Sequence, residues 1–469
     1  MFSSMLPFLR KTCMLPISLL LIGLAACGGG GGGGGSDTSG GGTTPADPPS
    51  TLTLQLPQQG LTAAQLGIVV AQGNADSEAI ASYYQTARGV PAANIVRVSL
   101  PGAGDTISAS DFATLKAQVD AQLPAQVQAT LLAWGGPSRV VGATCSMSIT
   151  SAMAFGYNAK YCNVGSSCVA TATSPYYDSE SRQPWTDLNV RPSMMIGAAT
   201  LAAAKPLIDR GVSADASYPG GDGWLIRSND NQRNVRGDDF SSQPAAWAGL
   251  LTLNFVDNGS GPDNANTISG RSNVLFYFTG VGSMPDLASN QYRPGAVGDT
   301  LTSYAGVLPD GRGQVTVLDW LNAGLTASYG NVEEPCNFQS KFSRASVLID
   351  QYWRGGTLIE AYWKSVQSPG EGLFVGEPLA QPFRDKPSLA IVNGQYQISS
   401  RALRSGASYS LQYRIGANGS WVTLGTFTGR HSAAQNLTAP LAPGAATQLR
   451  WMGPCPNNST QQCMLASSS

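Results

Sequence analysis

The chain has 469 residues, of which 12% are charged, and 28 Lys and Arg against 29 Asp and Glu leave a formal net charge of -1. A chain so balanced carries no basic stripe, which removes the electrostatic footprint of a nucleic-acid binder. The length exceeds one ordinary domain and fits a large core with a smaller module beside it. The single histidine, His431, excludes a histidine-rich zinc site and leaves all preceding residues without an imidazole general base.

Residues 1–26 read as an export signal. Arg10 and Lys11 make a positive start, Met14 to Leu24 an apolar stretch too short for a comfortable span, and Leu24-Ala25-Ala26-Cys27 a small-residue cleavage site. That tetrapeptide resembles the lipobox of bacterial lipoproteins, which implies cleavage before Cys27 and acylation of its thiol. The alternative is an ordinary signal peptide with a chance cysteine. Gly28, standing where an Asp would favour the inner membrane, points to the outer one. Two or three acyl chains anchor stably where one is marginal. Residues 27–50 form a tether rich in Gly, Ser and Pro, with little to bury and a large ordering cost. Its reach is about 25 Å.

Residues 51–385 carry alternating strand and helix signals. Leu66 to Gln72 is an apolar run, Ser77 to Arg88 places Ile80, Tyr83 and Ala87 at helical spacing, and Ala93 to Val98 begins another strand. Ser108 caps a helix bearing Phe112, Leu115, Val119 and Leu123, and Gln128 to Trp134 forms a strand ending at Gly135-Gly136-Pro137. Residues 141–190 show poor periodicity and read as an insertion pinned by disulfide at the carboxyl edge of the sheet. Strand signals return at Pro192 to Ala199, Trp224 to Arg227, Val274 to Phe278, Ala296 to Leu301 and Thr326 to Val332, with a helix and strand over Trp247 to Phe255 and helices over Leu201 to Gly211 and Val315 to Leu325. The prediction is an α/β domain with a mostly parallel, doubly wound sheet of six to eight strands.

From Lys386 the period shortens to two. Ser388 to Val392, Gln395 to Ser399, Tyr409 to Ile415, Trp421 to Phe427 and Gln448 to Trp451 predict a small all-β sandwich over residues 386–453, which resembles a fibronectin type III or immunoglobulin-like module. Residues 454–469 are left as a cysteine-containing tail. Six cysteines follow Cys27, an even count that suggests disulfides in an exported chain. Short loops suggest Cys162 with Cys168 and Cys455 with Cys463, which leaves Cys145 for Cys336.

The chemistry-bearing candidates are few. Asp299 sits on the strand Ala296 to Leu301, followed by Thr300, Thr302 and Ser303. A carboxylate in a sheet crevice can be tuned by burial to accept a proton, although hydrogen bonds from loop amides would equally explain it. Glu333 and Glu334 are adjacent and point apart on an extended chain. Asp299 with Glu333 could form a two-carboxylate site of the glycosidase type, about 5 to 9.5 Å apart, with Arg293 and Ser303 as binding groups. Arg227 and Arg233 could clamp an anionic ligand, or could be spent internally with Arg236 on Asp230, Asp238 and Asp239. Tyr352, Trp353, Tyr362 and Trp363 read as core and interdomain packing. Cys336 lacks an imidazole to activate it and reads as a disulfide partner. Gly135-Gly136-Pro137 and Gly280-Val281-Gly282 are weak phosphate signals, and neither a cofactor nor a metal is expected.

The run Val274 to Phe278, the turn Thr279-Gly280-Val281-Gly282-Ser283, the next strand with Gly298-Asp299-Thr300, and Gly376-Glu377-Pro378 occur in an order that resembles the second half of gingipain-type cysteine peptidases. The resemblance implies a caspase-like scaffold. In those enzymes a Gly-His-Gly turn carries the catalytic His and the next strand ends at the catalytic Cys; here Val281 takes the His position and no Cys follows. Asp76-Ser77, Arg88 through Val96, Pro294 to Val297, Gly330-Asn331-Val332-Glu333-Glu334-Pro335 and Gly376 to Leu379 further resemble an uncharacterised family of exported bacterial proteins associated with exosortase sorting. The expectation is an outer-membrane lipoprotein with a binding or assembly role and no peptidase dyad. Its partners would be the membrane, through the lipid, and envelope polysaccharide or sorted proteins. The alternative is a carboxylate-dependent hydrolase of glycans or, less favoured, peptides. The kinship with the peptidases and the candidate site at Asp299 both require Val281 and Asp299 at a common rim.

Overall fold

In the computed structural model, which describes residues 49–101, 104–165, 168–259, 265–457 and 460–468, the first apolar run forms strand β1 (Leu66–Ala71), buried along its whole length. The expected signal segment, Cys27 and the tether as far as residue 48 lie outside the described residues. Asn74 accepts the Ser77 N–H to start helix α1 (Ala75–Arg88), and Gly89, at a φ of 69°, ends it. Strand β2 (Ile95–Val98) then pairs parallel to β1. Strand β3 (Thr106–Ser108) leads into α2 (Ala109–Gln122), capped by Ser108 as expected, and α2 into β4 (Ala129–Leu132).

Strands β5 (Arg139–Val141) and β6 (Ser146–Ser148) join β3 in a small separate sheet. Helices α3 (Ile149–Phe155) and α4 (Pro184–Leu188) follow, then β7 (Ser193–Met195) and α5 (Leu201–Ala214). The insertion is therefore not wholly peripheral: α3 is buried over all but its last residue and packs against the main sheet. Its disulfides also differ from those expected. Cys145 bonds Cys162, and Cys168 bonds Cys336, while Cys455 pairs with Cys463 as the spacing suggested. The Tyr157 hydroxyl donates to the Cys145 carbonyl and folds residues 145–162 back on themselves. That fold-back brings Cys145 to Cys162 and leaves Cys168 to the distant Cys336.

The remaining strands of the sheet are β8 (Asp222–Arg227), β9 (Thr252–Asp257), β10 (Ser272–Thr279), β11 (Gln291–Thr300), β12 (Ala327–Asn331) and β13 (Gly372–Gly376). Helices α6 (Gly237–Ser241), α7 (Gln243–Ala246), α8 (Val317–Ala323), α9 (Ala345–Trp353) and α10 (Leu358–Ser365) connect them. The ten-stranded order is β2-β1-β4-β7-β13-β12-β11-β10-β8-β9. All pairs are parallel except β12 with β13. The sheet is thus two five-stranded parallel halves joined edge to edge by one antiparallel seam. Each half has the same order: the second strand lies outside the first, and the third, fourth and fifth lie in succession on the other side. Each therefore has its own switch point, where the chain reverses direction across the sheet.

The mostly parallel, doubly wound α/β architecture matches the sequence reading. The strand count and the seam do not, because β13 returns from the far end of the domain to complete the first half. Helices α5 and α8 meet on one face, where Arg210 donates to the Leu325 carbonyl at 2.6 Å. On the other face Trp363 of α10 stacks on Phe374 at 4.4 Å.

The C-terminal module holds β14 (Ser388–Val392), β15 (Gln395–Ser400), β16 (Ser408–Arg414), β17 (Val422–Thr428), β18 (Gln435–Pro440), β19 (Gln448–Pro454) and β20 (Gln462–Ser467). They form two antiparallel sheets, β14-β15-β18 and β17-β16-β19-β20, around Tyr396, Ile398, Leu411, Leu449 and Trp451. Two boundaries move. The expected tail is the last strand, since β20 pairs with β19 and the Cys455–Cys463 bridge closes that hairpin. Leu54 and Leu56 also bury in this module's core, and the Tyr396 hydroxyl donates to the Leu52 carbonyl. The alternating leucines of residues 52–56 thus belong with the sandwich. Among the described residues, no helix is long and apolar enough to cross a membrane.

Candidate functional site

The second half gathers most of the predicted residues at the carboxyl ends of β8, β10, β11 and β12. The loop after β8 crosses the exit of β10 so closely that a Cβ on Gly280 would lie 1.9 Å from the Arg233 carbonyl oxygen. Only glycine admits that approach. The result is a crevice of about 300 Å³ lined by Gln232, Arg233, Thr302, Ser303, Glu334 and Asn337, with the Cys168–Cys336 bridge in its wall. Arg233 is paired with Asp230, as the internal-network reading anticipated, and its Nε donates to Thr302 Oγ1 at 3.3 Å. Thr302 in turn donates to Gln314 Oε1 at 2.8 Å, which fixes the lip after β11. The Glu334 carboxylate accepts the Cys336 N–H at 2.9 Å, so the carboxylate shapes its own loop.

Asp299 lies beneath this crevice and does not open into it. It is fully buried, its Oδ1 lies 2.5 Å from Arg236 Nη1, and the Ser343 hydroxyl donates to its Oδ2 at 2.5 Å. Arg236 is 1% exposed, also donates to the Thr279 carbonyl, and is ringed by Phe240, Phe278 and Phe342. Burial pushes the Asp299 carboxyl above its ordinary range, while the guanidinium and the hydroxyl pull the other way. A carboxylate with two committed partners and no solvent has neither a substrate to reach nor a water to activate. The partners are a charged side chain and a hydroxyl, where the sequence suggested loop amides.

The common rim required of Val281 and Asp299 is not formed. Strands β10 and β11 are parallel neighbours with Phe278 opposite Asp299, as expected. Val281, however, lies past the end of β10, tied to Thr300 by two hydrogen bonds, and its side chain joins the cluster of Tyr277, Ala296 and Trp320. Asp299 packs with Arg236 on the opposite face, as successive residues of a strand must. Gly298, whose Cβ would meet Trp320 at 2.8 Å, marks the change of face.

The other candidates scatter. Glu333 is half-buried beside a second internal ion pair, Lys341 with Glu371 at 3.0 Å, and its charge helps raise the Glu371 carboxyl that burial already pushes up. Arg293 is exposed near the start of β11, bonded to Asn273, about 20 Å along the strand from Asp299. Arg227 pairs with Asp257 at 3.6 Å. Of the proposed binding groups, Arg233 and Ser303 share the crevice; Arg227 and Arg293 do not. Sequence reasoning missed Gln232, Asn337 and Ser343, which have no motif and reach the site only through loop closure. Among the described residues, no group of three His, Cys, Asp or Glu side chains could hold a metal ion. No protein-family model matches the chain, and no curated protein shows significant similarity to it.

Proposed function

We propose that the protein is an exported, lipid-anchored binding protein of the bacterial envelope that retains an exported polypeptide or an envelope polysaccharide without turning it over. The observation that carries this reading is the closure of Asp299 by Arg236 and Ser343 beneath an open, polar crevice. The carboxylate pair of the hydrolase alternative loses one member to an internal ion pair, and the chain's one imidazole, on the sandwich, is held by Asp350 of α9 away from the crevice. What remains is a mouth of amide, hydroxyl and guanidinium groups with the Glu334 carboxylate engaged in its own loop, which suits hydrogen-bonded recognition of a polar polymer. Membrane attachment rests on Leu24-Ala25-Ala26-Cys27.

The test is to present peptide and glycan arrays to the purified mature protein, beside Ser303→Trp, which fills the crevice. Retention that Ser303→Trp abolishes, with no new amino termini or reducing ends, is the expected result. Catalytic release of either product would overturn the reading. Labelled fatty acid should enter the wild-type protein and not Cys27→Ser; label in both would refute the anchor.

A further inference from the structure

The first half repeats the strand order of the second, so it has its own switch point, at the carboxyl ends of β1 and β4. Ligands of open α/β sheets lodge at such places. A cleft of about 510 Å³ lies there, larger than the crevice of the second half and within the range of small-molecule sites. Gln72 and Asn74 come from the exit of β1, and Trp134, Gly135 and Gly136 from the exit of β4. The glycines are a requirement of packing: a Cβ on Gly135 would meet the Ala199 backbone nitrogen at 2.9 Å. Leu308 and Leu318 supply an apolar wall.

We propose that this cleft binds the ring of a neutral saccharide. Among the described residues its only charged lining group is Asp105, and α1, which starts at the cleft, carries Asp76 and Glu78 in its first turn. Asp76 and Glu78 offset the positive end of the α1 dipole, and although Glu78 pairs with Arg97 at 2.9 Å and Asp105 lies 3.9 Å from Arg139, the acidic groups at the opening disfavour a phosphate or a uronate. A neutral ring with apolar C–H faces and hydroxyls around its edge matches an apolar wall facing amide and carboxylate groups. Asn74 spends its carbonyl oxygen on the Ser77 N–H, and its amide nitrogen takes no part in that cap. Gln72 is exposed at the opening. Trp134 is 4% exposed and its indole N–H is buried without an acceptor. A buried donor left unpaired is costly, and a slight turn of the indole toward the cleft brings it a sugar hydroxyl as the missing acceptor.

The experiment titrates the full mature protein with cellotetraose, maltotetraose and chitotetraose by calorimetry, with inorganic phosphate and tetragalacturonate as anionic probes. Saturable binding of at least one neutral probe and none of the anions is expected. Trp134→Phe keeps an aromatic face and deletes the N–H, so it should weaken binding about tenfold while the protein stays folded at a somewhat lower melting temperature, because part of the indole's buried space is emptied. Gln72→Ala, at an exposed position, should weaken it about threefold. Absence of saturable neutral binding at millimolar concentration, preference for an anion, or unchanged affinity in Trp134→Phe would each overturn the proposal. Ser303→Trp should leave this binding intact. If it abolishes it, the sugar occupies the other crevice, and this inference fails while the envelope-binding reading stands.

Discussion

The two halves of the sheet share a strand order and differ in what they have done with their switch points. The second half has filled the ground beneath its crevice with Arg236 and Asp299, pinned the lip with the Cys168–Cys336 bridge, and docked the sandwich on α9 through Asp350, Trp353 and Arg354. The first half keeps a larger cleft, walled by leucines, with no cation among the described residues that line it. Topology therefore decides where a crevice can be, and the loops decide whether it is braced by internal charges or left for a ligand. In the second half the charged groups that the sequence offers for chemistry have been consumed by structure.

The largest expected effect breaks the bracing of the second half. The Cys168–Cys336 bridge closes a loop of sequence separation 168, against 17 for Cys145–Cys162. Chain-entropy reasoning gives roughly 5 kcal/mol for the long loop and about 3 for the short one. Replacing both members of each pair by Ser and measuring unfolding in urea should reproduce that order. Loss of crevice binding should follow the long bridge only, because only that bridge stands in the crevice wall. The reverse ranking would show that the insertion is held mainly by its packing on β13.

The next effect concerns the buried ion pair. Arg236→Met leaves Asp299 uncompensated and should cost about 3–5 kcal/mol, whereas Arg236→Met with Asp299→Leu should recover much of it. If the single and double variants are equally unstable, the rings of Phe240, Phe278 and Phe342, and not the charges, hold this region. Among the described residues the first cleft has only the looser and partly exposed pair of Asp105 with Arg139 at 3.9 Å, whose loss should cost far less.

A smaller effect joins the second half to the sandwich. His431 stacks on Trp247 at 4.1 Å and its Nε2 lies 3.2 Å from Asp350 Oδ1. Asp350, despite burial, is held down to about 2, with Arg354 the largest lowering influence and His431 adding to it. The hydrogen bond to Asp350 raises His431 above its ordinary 6.5. A base whose folded pKa is raised contributes stability that is complete below its unfolded pKa and is lost as pH rises through the folded one. The stability difference between wild type and His431→Gln should therefore be about 1 kcal/mol at pH 5.5 and shrink above pH 6.5. A difference that grows with pH would refute the ion pair.

Much of this fold was legible because local signals agreed with it. The run Leu66 to Gln72, the helix Ser77 to Arg88 and the Ser108 cap each depend on a few consecutive residues, and each corresponds to an element of the structure, β1, α1 and the start of α2. The failures are long-range. Gly372-Leu-Phe-Val-Gly376 has five residues and no periodicity to declare it a strand, and its place beside β12 and β7 is set by the whole domain. Leu52, Leu54 and Leu56 alternate plainly, but nothing local says that their partners begin at residue 389. At the site, the acidic residue was found and its fate was not: Arg236 and Ser343 stand 63 and 44 residues away. Short spacing misled the disulfide pairing because Tyr157 reverses the chain between Cys145 and Cys162.

The smallest effect tests the geometry that separates the candidate arginines. Arg227 and Arg293 looked equivalent to Arg233 in sequence, yet Arg227 shares an exposed pair with Asp257 and Arg293 lies exposed near the amino end of β11. Exposed side chains of this kind contribute little, so Arg227→Ala and Arg293→Ala should change stability by no more than about 0.5 kcal/mol. Neither should alter binding in the crevice. Arg233→Ala should be equally mild for the fold, since its partner Asp230 is itself partly exposed, but it should weaken crevice binding several-fold, roughly the worth of one charge-assisted hydrogen bond. A parallel loss of binding in all three would mean that the loop after β8 acts as one electrostatic surface and that the crevice walls do not define the site.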